Sequence, residues 1–248
     1  AWLAGAVAAA VPDGAGWAIV LVPTEGGAAR TLVAGLEEVQ GLAWSPDGGW
    51  LAFGARRAAN WDVYRVRRDG SGLERLTDHP GFDAGPAWSP DGRALAFESA
   101  RDGNLDIYRL DLPPDGAAGD LPAVPAGTAS DAAPITAPPA AVRLTTSDAP
   151  AVEPSWAPDG RHVAFAAWRD GRYVLEAVAL DDGARTVLVA TDDDARQPAF
   201  APRGDQLAWL ERDRGRSTLR AAAWDGDGIA LGRVGLPALL SQVDGFAW

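Results

Sequence analysis

Two histidines and a scatter of aspartates are the residues here with the means to do acid, base or metal chemistry. His79 follows Leu76-Thr77 in a loop, and His162 opens a strand between Arg161 and Val163. Two imidazoles standing apart make neither a metal set nor a catalytic triad. Asp47, Asp91 and Asp159 could act as acids or cation ligands. Each sits in a Pro-Asp-Gly turn, where a carboxylate satisfies nearby backbone donors, and that is the role expected of them. Asp192-Asp193-Asp194 and the Asp225-Gly226-Asp227-Gly228 run lack the spaced acceptors of a Ca²⁺ loop and read as solvated turns. There is no cysteine, no Gly-x-Ser-x-Gly and no glycine-rich phosphate loop leading a strand into a helix. The chain is expected to be non-catalytic, with no cofactor and no bound metal.

Recognition is a better use for the remaining polar residues. Arg56, Arg57 and Trp61, then Arg101 and Asp102, then Trp168, Arg169 and Arg172, then Arg212, Arg214 and Arg216 fall in four comparable loops. A second group, His79, Asp83, Glu153, Arg196, Gln197 and Asp244, falls in the connections between repeats. Arginine with interspersed tryptophan is the composition of protein-recognition hot spots. The competing reading is a solvated rim of Arg and Asp paired with one another. On the first reading, removing Arg169 and Arg214 together weakens partner binding and leaves the melting temperature alone.

Composition narrows the partner. The chain has 248 residues and a formal net charge of −12, with 22 basic side chains that are all arginine. An acidic balance argues against nucleic acid or an anionic membrane, both of which need a basic surface. No apolar run approaches the roughly 18 residues of a membrane helix. The opening AWLAGAVAAAV has no basic residues before it and reads as a strand. A protein or peptide partner, a monomeric chain and no membrane insertion are expected.

The elements that must position these loops come from a repeat. GLAWSPDGGWLAF (41–53), GPAWSPDGRALAF (85–97), EPSWAPDGRHVAF (153–165) and QPAFAPRGDQLAW (197–209) are one sentence written four times, and GFAW (245–248) begins a fifth. Leu76 follows Trp44 by 32 residues and precedes Trp88 by 12. Leu188 stands in the same relation to Trp156 and Phe200. Within a unit the apolar residues alternate, the signature of strands. Ala43-Trp44 ends one strand, Ser45-Pro46-Asp47-Gly48 turns, Leu51-Ala52-Phe53 returns, Asp62-Val63-Tyr64 lies on a third strand and Leu76-Thr77 marks a fourth. Four short antiparallel strands per roughly 44 residues make an all-β propeller blade. Blades are expected at about 41–84, 85–152, 153–196 and 197–244, all in one domain. Trp44, Trp88, Trp156, Phe200 and Trp248 hold the same place in every unit, so blade-to-blade packing is expected of them rather than a ligand cage.

Two irregularities remain. Residues 112–141 stretch one connection; proline and alanine fill 17 of its 30 positions, and a disordered surface insertion is expected. Trp2-Leu3-Ala4 matches Trp50-Leu51-Ala52, so the chain is expected to open at a blade's second strand. A fifth blade is then split between 245–248 and 1–40, either closing a ring or leaving a piece of one with six or more blades.

The segment AWSPDGRALAFESARDGNLDIYRLDL (87–112), continued by VRLTTSD (142–148), resembles the WD40-like propeller repeats of TolB and its relatives, as does LTDHPGFDAGPAWSPDG at 76–92. The likeness runs over most of the chain and departs at Ala201-Pro202-Arg203-Gly204, where SPDG is replaced. It implies a six-bladed propeller outside the cytoplasmic membrane, periplasmic or extracellular, that binds other proteins. TolB proper adds a separate α/β domain for which these residues have no counterpart. Propellers of prolyl-oligopeptidase-type serine peptidases look similar and gate a hydrolase domain, the alternative function.

Overall fold

The computed structural model of the chain describes residues 2–3, 5–14, 16–112, 140–201, 204–224 and 229–234. Among these every regular element is a strand, and the strands form five four-stranded antiparallel sheets. The first sheet holds β1 (Trp2–Leu3), β2 (Ala6–Asp13), β3 (Gly16–Pro23) and β4 (Arg30–Leu36). The second holds β5 (Glu38–Trp44), β6 (Trp50–Arg57), β7 (Asn60–Arg67) and β8 (Glu74–Arg75). The third holds β9 (Asp83–Trp88), β10 (Ala94–Ser99), β11 (Asp106–Asp111) and β12 (Val142–Arg143). The fourth is β13 (Ala151–Trp156), β14 (His162–Arg169), β15 (Arg172–Ala179) and β16 (Arg185–Val189). The fifth is β17 (Asp194–Phe200), β18 (Gln206–Asp213), β19 (Arg216–Trp224) and β20 (Ile229–Val234). Strands are adjacent in chain order within every sheet, as in a propeller blade.

The chain's opening register differs from expectation. Trp2 pairs with Val7 and Leu3 with Ala6, so Trp2-Leu3 is the first strand of its sheet and not the second. The similarity to Trp50-Leu51-Ala52 is one of composition; β2 takes the second-strand place. Residues 245–248 lie outside the described residues. So does almost all of the 112–141 insertion, but its two ends are placed: Leu112 and Ala141 pack on one apolar cluster.

The Pro-Asp-Gly turns carry the local chemistry expected of them. Ser45 Oγ donates to Asp47 Oδ1 at 2.5 Å and accepts from Trp50 N–H at 2.9 Å, while Asp47 accepts from Gly49 N–H at 3.0 Å. Ser89, Asp91, Arg93 and Ala94 repeat the arrangement. Gly48 and Gly92, at φ of 70° and 69°, supply the left-handed step. Bonding to Ser45 and to Ser89 holds the Asp47 and Asp91 carboxyls below their ordinary range. Asp159 follows the same plan with a different partner, since His162 Nδ1 takes the place of the serine at 2.7 Å.

The core is divided among the sheet interfaces. Trp44 packs on a cluster built from Ala6, Ala8 and Leu21 of the first sheet and Leu51, Phe53 and Tyr64 of the second, and Trp88 on one built from Ala52 and Val63 of the second and Leu95 and Phe97 of the third. Trp156 belongs to a cluster with Ala94 and Ala96 of the third sheet and Val163 and Phe165 of the fourth, and Phe200 to one with Ala164 and Ala166 of the fourth and Leu207 and Trp209 of the fifth. Each strand-end aromatic thus lies in a cluster that its sheet shares with the preceding one.

Candidate functional site

The second-to-third-strand hairpins are tight. Ala58 and Ala59 both have positive φ at the β6–β7 tip, as do Asp170 and Gly171 at β14–β15, and Arg214 and Gly215 at β18–β19. Two consecutive left-handed residues make the turn whose twist matches the flanking strands. Rim side chains therefore leave rigid stems.

Most of the arginines expected to await a partner are already engaged. Arg56 bridges Glu37 at 2.9 Å and Glu38 at 2.8 Å. Arg101 lies 2.8 Å from Asp83 and over the ring of Tyr108 at 4.8 Å, while Asp83 is fully buried and accepts from Ser99. His79 accepts from Gly81 N–H, and its carbonyl accepts from Asn60. Arg169 reaches buried Glu176 at 2.7 Å, and Arg185 holds the same carboxylate. Asp102 holds the Tyr108 hydroxyl. Arg172 is partly buried and its Nε has no partner among the described residues. Arg212, Arg214 and Arg216 remain exposed at one hairpin, with Arg214 only loosely near Asp213 at 3.7 Å. Asp244 lies outside the described residues.

The structure gathers a different set at the inner strands. Three residues before each strand-end aromatic, β5, β9, β13 and β17 bulge, and the bulged residues are Gly41, Gly85, Glu153 and Gln197, at φ of 53–64°. A Cβ on Gly41 would stand 2.7 Å from Gly85 Cα, so the first needs glycine, while one on Gly85 would press on the Glu98 carboxylate at 3.1 Å. Glu153 and Gln197 take the same left-handed conformation with full side chains. Such strain persists where surrounding contacts over-determine it, commonly at functional sites.

Those contacts form a ladder. Glu98, on β10, accepts the Glu153 N–H at 2.7 Å; Glu153 accepts the Gln197 N–H at 2.8 Å and is forked by Arg196 at 3.2 and 3.0 Å. Arg196 lies over the ring of Tyr173 at 4.2 Å. All four bulges, with Glu98, Tyr173 and Arg196, line one cavity of about 640 Å³. Burial there pushes the Glu98 carboxyl up to about 7, against the Glu153 N–H that favours its ionised form. Two rim tryptophans reach the same cavity through one further ring. Trp61 packs on Phe82 at 5.5 Å and Trp168 on Tyr173 at 5.0 Å, and both partners belong to the lining.

Glu98 and Tyr173 escape a reading by loops because both lie in strands. A signal for Glu98 was nevertheless present: the equivalent positions in the other repeats are Gly54, Ala166 and Leu210. A carboxylate where its counterparts are small or apolar is a departure that the period itself exposes.

Residues 18–122 match the TolB beta propeller domain family. TolB from Acinetobacter baumannii superposes over 90% of this chain with a TM-score of 0.68 and 23% identity. The chain folds as a β-propeller like that of TolB. It spans half the length of that TolB. A puromycin-hydrolyzing peptidase from Mycobacterium tuberculosis matches 95% of this chain and 38% of its own, at 18% identity and a TM-score of 0.62. Hydrazine synthase from Kuenenia stuttgartiensis matches at 17% identity and 0.65, over 85% of this chain and 34% of its own. One architecture serving such different proteins means that the likeness establishes the fold, and that function must be argued from the site. No curated protein matches the sequence. Among the described residues no group of three or more His, Cys, Asp and Glu could hold a metal ion, and no helix could cross a membrane.

Proposed function

We propose that this TolB-like propeller is a non-catalytic binding module that holds a protein or peptide partner across the mouth of its inner-strand cavity, outside the cytoplasmic membrane. The observation that carries this reading is the flanking of the cavity by two aromatic pairs, Trp61–Phe82 and Trp168–Tyr173, on tight hairpins. Trp168 is 37% exposed, and Arg212 and Arg214 are exposed at the corresponding hairpin of the next sheet, an aromatic anchor and cations on successive blades. Because Arg56, Arg101 and Arg169 are paired beforehand, docking orders few side chains and little entropy is lost. The likeness to TolB supports the extracytoplasmic setting.

The pairing changes which variant tests the surface. Arg169→Ala strips a partner from buried Glu176 and is expected to lower stability, so it is a poor probe of binding. Arg212→Glu with Arg214→Glu reverses two exposed cations and breaks no buried pair. A photo-crosslinking residue at position 168 should capture a discrete partner in cells. The double reversal should abolish that capture with Tm unchanged. No capture at 168, or capture indifferent to the reversals, would refute the assignment of this face.

A second reading, the gate of a prolyl-oligopeptidase-type peptidase, draws support from the likeness to the mycobacterial enzyme. A Gly-x-Ser-x-Gly module encoded beyond residue 248 would favour it.

A further inference from the structure

The described lining of the inner-strand cavity is short of positive charge and holds unpaired acceptors. Glu98 Oε1 accepts from Glu153 N–H, and Oε2 has no hydrogen-bond partner among the described residues. Gln197 Oε1 is buried and has no donor either. Arg196, the cation of the lining, is taken up by Glu153 and by the face of Tyr173. Two carboxylates and one guanidinium leave the cavity negative when Glu98 is ionised. Leu42, Phe82, Leu105 and Val152 supply an apolar wall beside these acceptors. A buried acceptor without a donor costs about 1–3 kcal/mol, so Gln197 Oε1, beside the unpaired Oε2 of partly buried Glu98, describes the missing ligand. It carries N–H donors and positive charge at one end and an aliphatic stem behind.

We propose that the cavity binds the cationic end of a basic side chain, an alkylammonium or guanidinium on an aliphatic stem, with Glu98 Oε2 and Gln197 Oε1 accepting its N–H groups. The proposal deepens the reading of this mouth as a partner site and rests on it for the source of the cation. The net charge of −12 favours approach of a basic partner. Glu153 on β13 and Arg196 on β17 are the charged groups acting on Glu98, and they oppose one another. Burial is then what keeps Glu98 titrating near 7, and a bound cation needs it ionised.

The test is a titration of the full chain with n-butylguanidinium, followed through the backbone amide signals of Glu153 and Gln197, which the two carboxylates hold. At pH 8 saturable shifts are expected at both, with a Kd on the order of 1 mM for so small a ligand. Butyrate should produce none. Affinity should fall about tenfold from pH 8 to pH 6, following the ionised fraction of Glu98. Glu98→Gln should weaken binding at least tenfold, and Gln197→Leu should also weaken it, which keeps the test open should either variant fold poorly. Shifts that never saturate, that butyrate reproduces, or that survive both substitutions would overturn the proposal. Saturable cation binding without partner capture at position 168 would sink the scaffold reading alone. Capture without cation binding would sink the cavity alone.

Discussion

Glu98 illustrates how one side chain can be costly to the fold and useful to the site. Its carboxyl titrates at about 7 in the folded chain, against an ordinary 4.5. Between those values the folded state holds more protons than the unfolded one, so stability falls as pH rises through this window. The full contribution is present below pH 4.5 and lost above pH 7. Glu98→Gln keeps an oxygen for the Glu153 N–H and removes the charge. It is expected to melt higher than the parent at pH 8, by an amount on the order of 2 kcal/mol. The two proteins should converge toward pH 4.5, and scanning calorimetry across that range would show it. A constant offset at every pH would mean that shape, not ionisation, separates them. The left-handed Glu153 and Gln197 belong to the same picture, since their strain is held by the ladder that begins at Glu98.

At the scale of the strand and turn, the repeat was legible wherever residue type alone decides conformation. Pro-Asp-Gly specifies its turn through a preset φ, a local acceptor and a residue tolerant of positive φ. Asp91→Ala removes the acceptor for Ser89 Oγ and Arg93 N–H while leaving the proline and glycine in place. A loss of about 1 kcal/mol is expected in urea unfolding at neutral pH. Because the Asp91 carboxyl lies below its usual range, the contribution is present above pH 3.8 and disappears on acidification through the folded value. Legibility ended at the bulges. Gly41 and Gly85 hint at positive φ, but nothing in Glu153 or Gln197 does, because tertiary contacts impose their conformation. The pairing of the rim was hidden for a similar reason. Asp83 and Arg101 are 18 residues apart, and burial, which a loop assignment ignores, joins them. Trp2-Leu3 misled because two apolar residues match a first strand as readily as a second.

Across the whole molecule, stability is a sum of neighbour interfaces, each a cluster of apolar residues from two successive blades that includes a strand-end aromatic. This fixes where change is tolerated. Trp156, 7% exposed between the third and fourth sheets, touches the interface on both sides, and Trp156→Ala is expected to cost about 3–5 kcal/mol. The insertion between β11 and β12 obeys a different rule. Leu112 N–H donates to Arg93 carbonyl oxygen at 2.8 Å, Tyr108 pairs with Arg143, and Leu112 and Ala141 meet on one cluster. Its two ends are therefore side by side, and a turn of four or five residues can join them. Closing a loop of n residues costs entropy that grows with the logarithm of n, about 0.6 kcal/mol per doubling. Replacing residues 114–139 with a short Gly-Asn-Gly turn removes between two and three doublings. A rise in stability of about 1–2 kcal/mol, and of a few degrees in Tm, is expected. Cation binding in the inner-strand cavity should be unaffected, because neither Leu112 nor Ala141, the described ends of the insertion, is among the lining residues. A fall in Tm on excision would show that 114–139 packs on the propeller and contributes to its core.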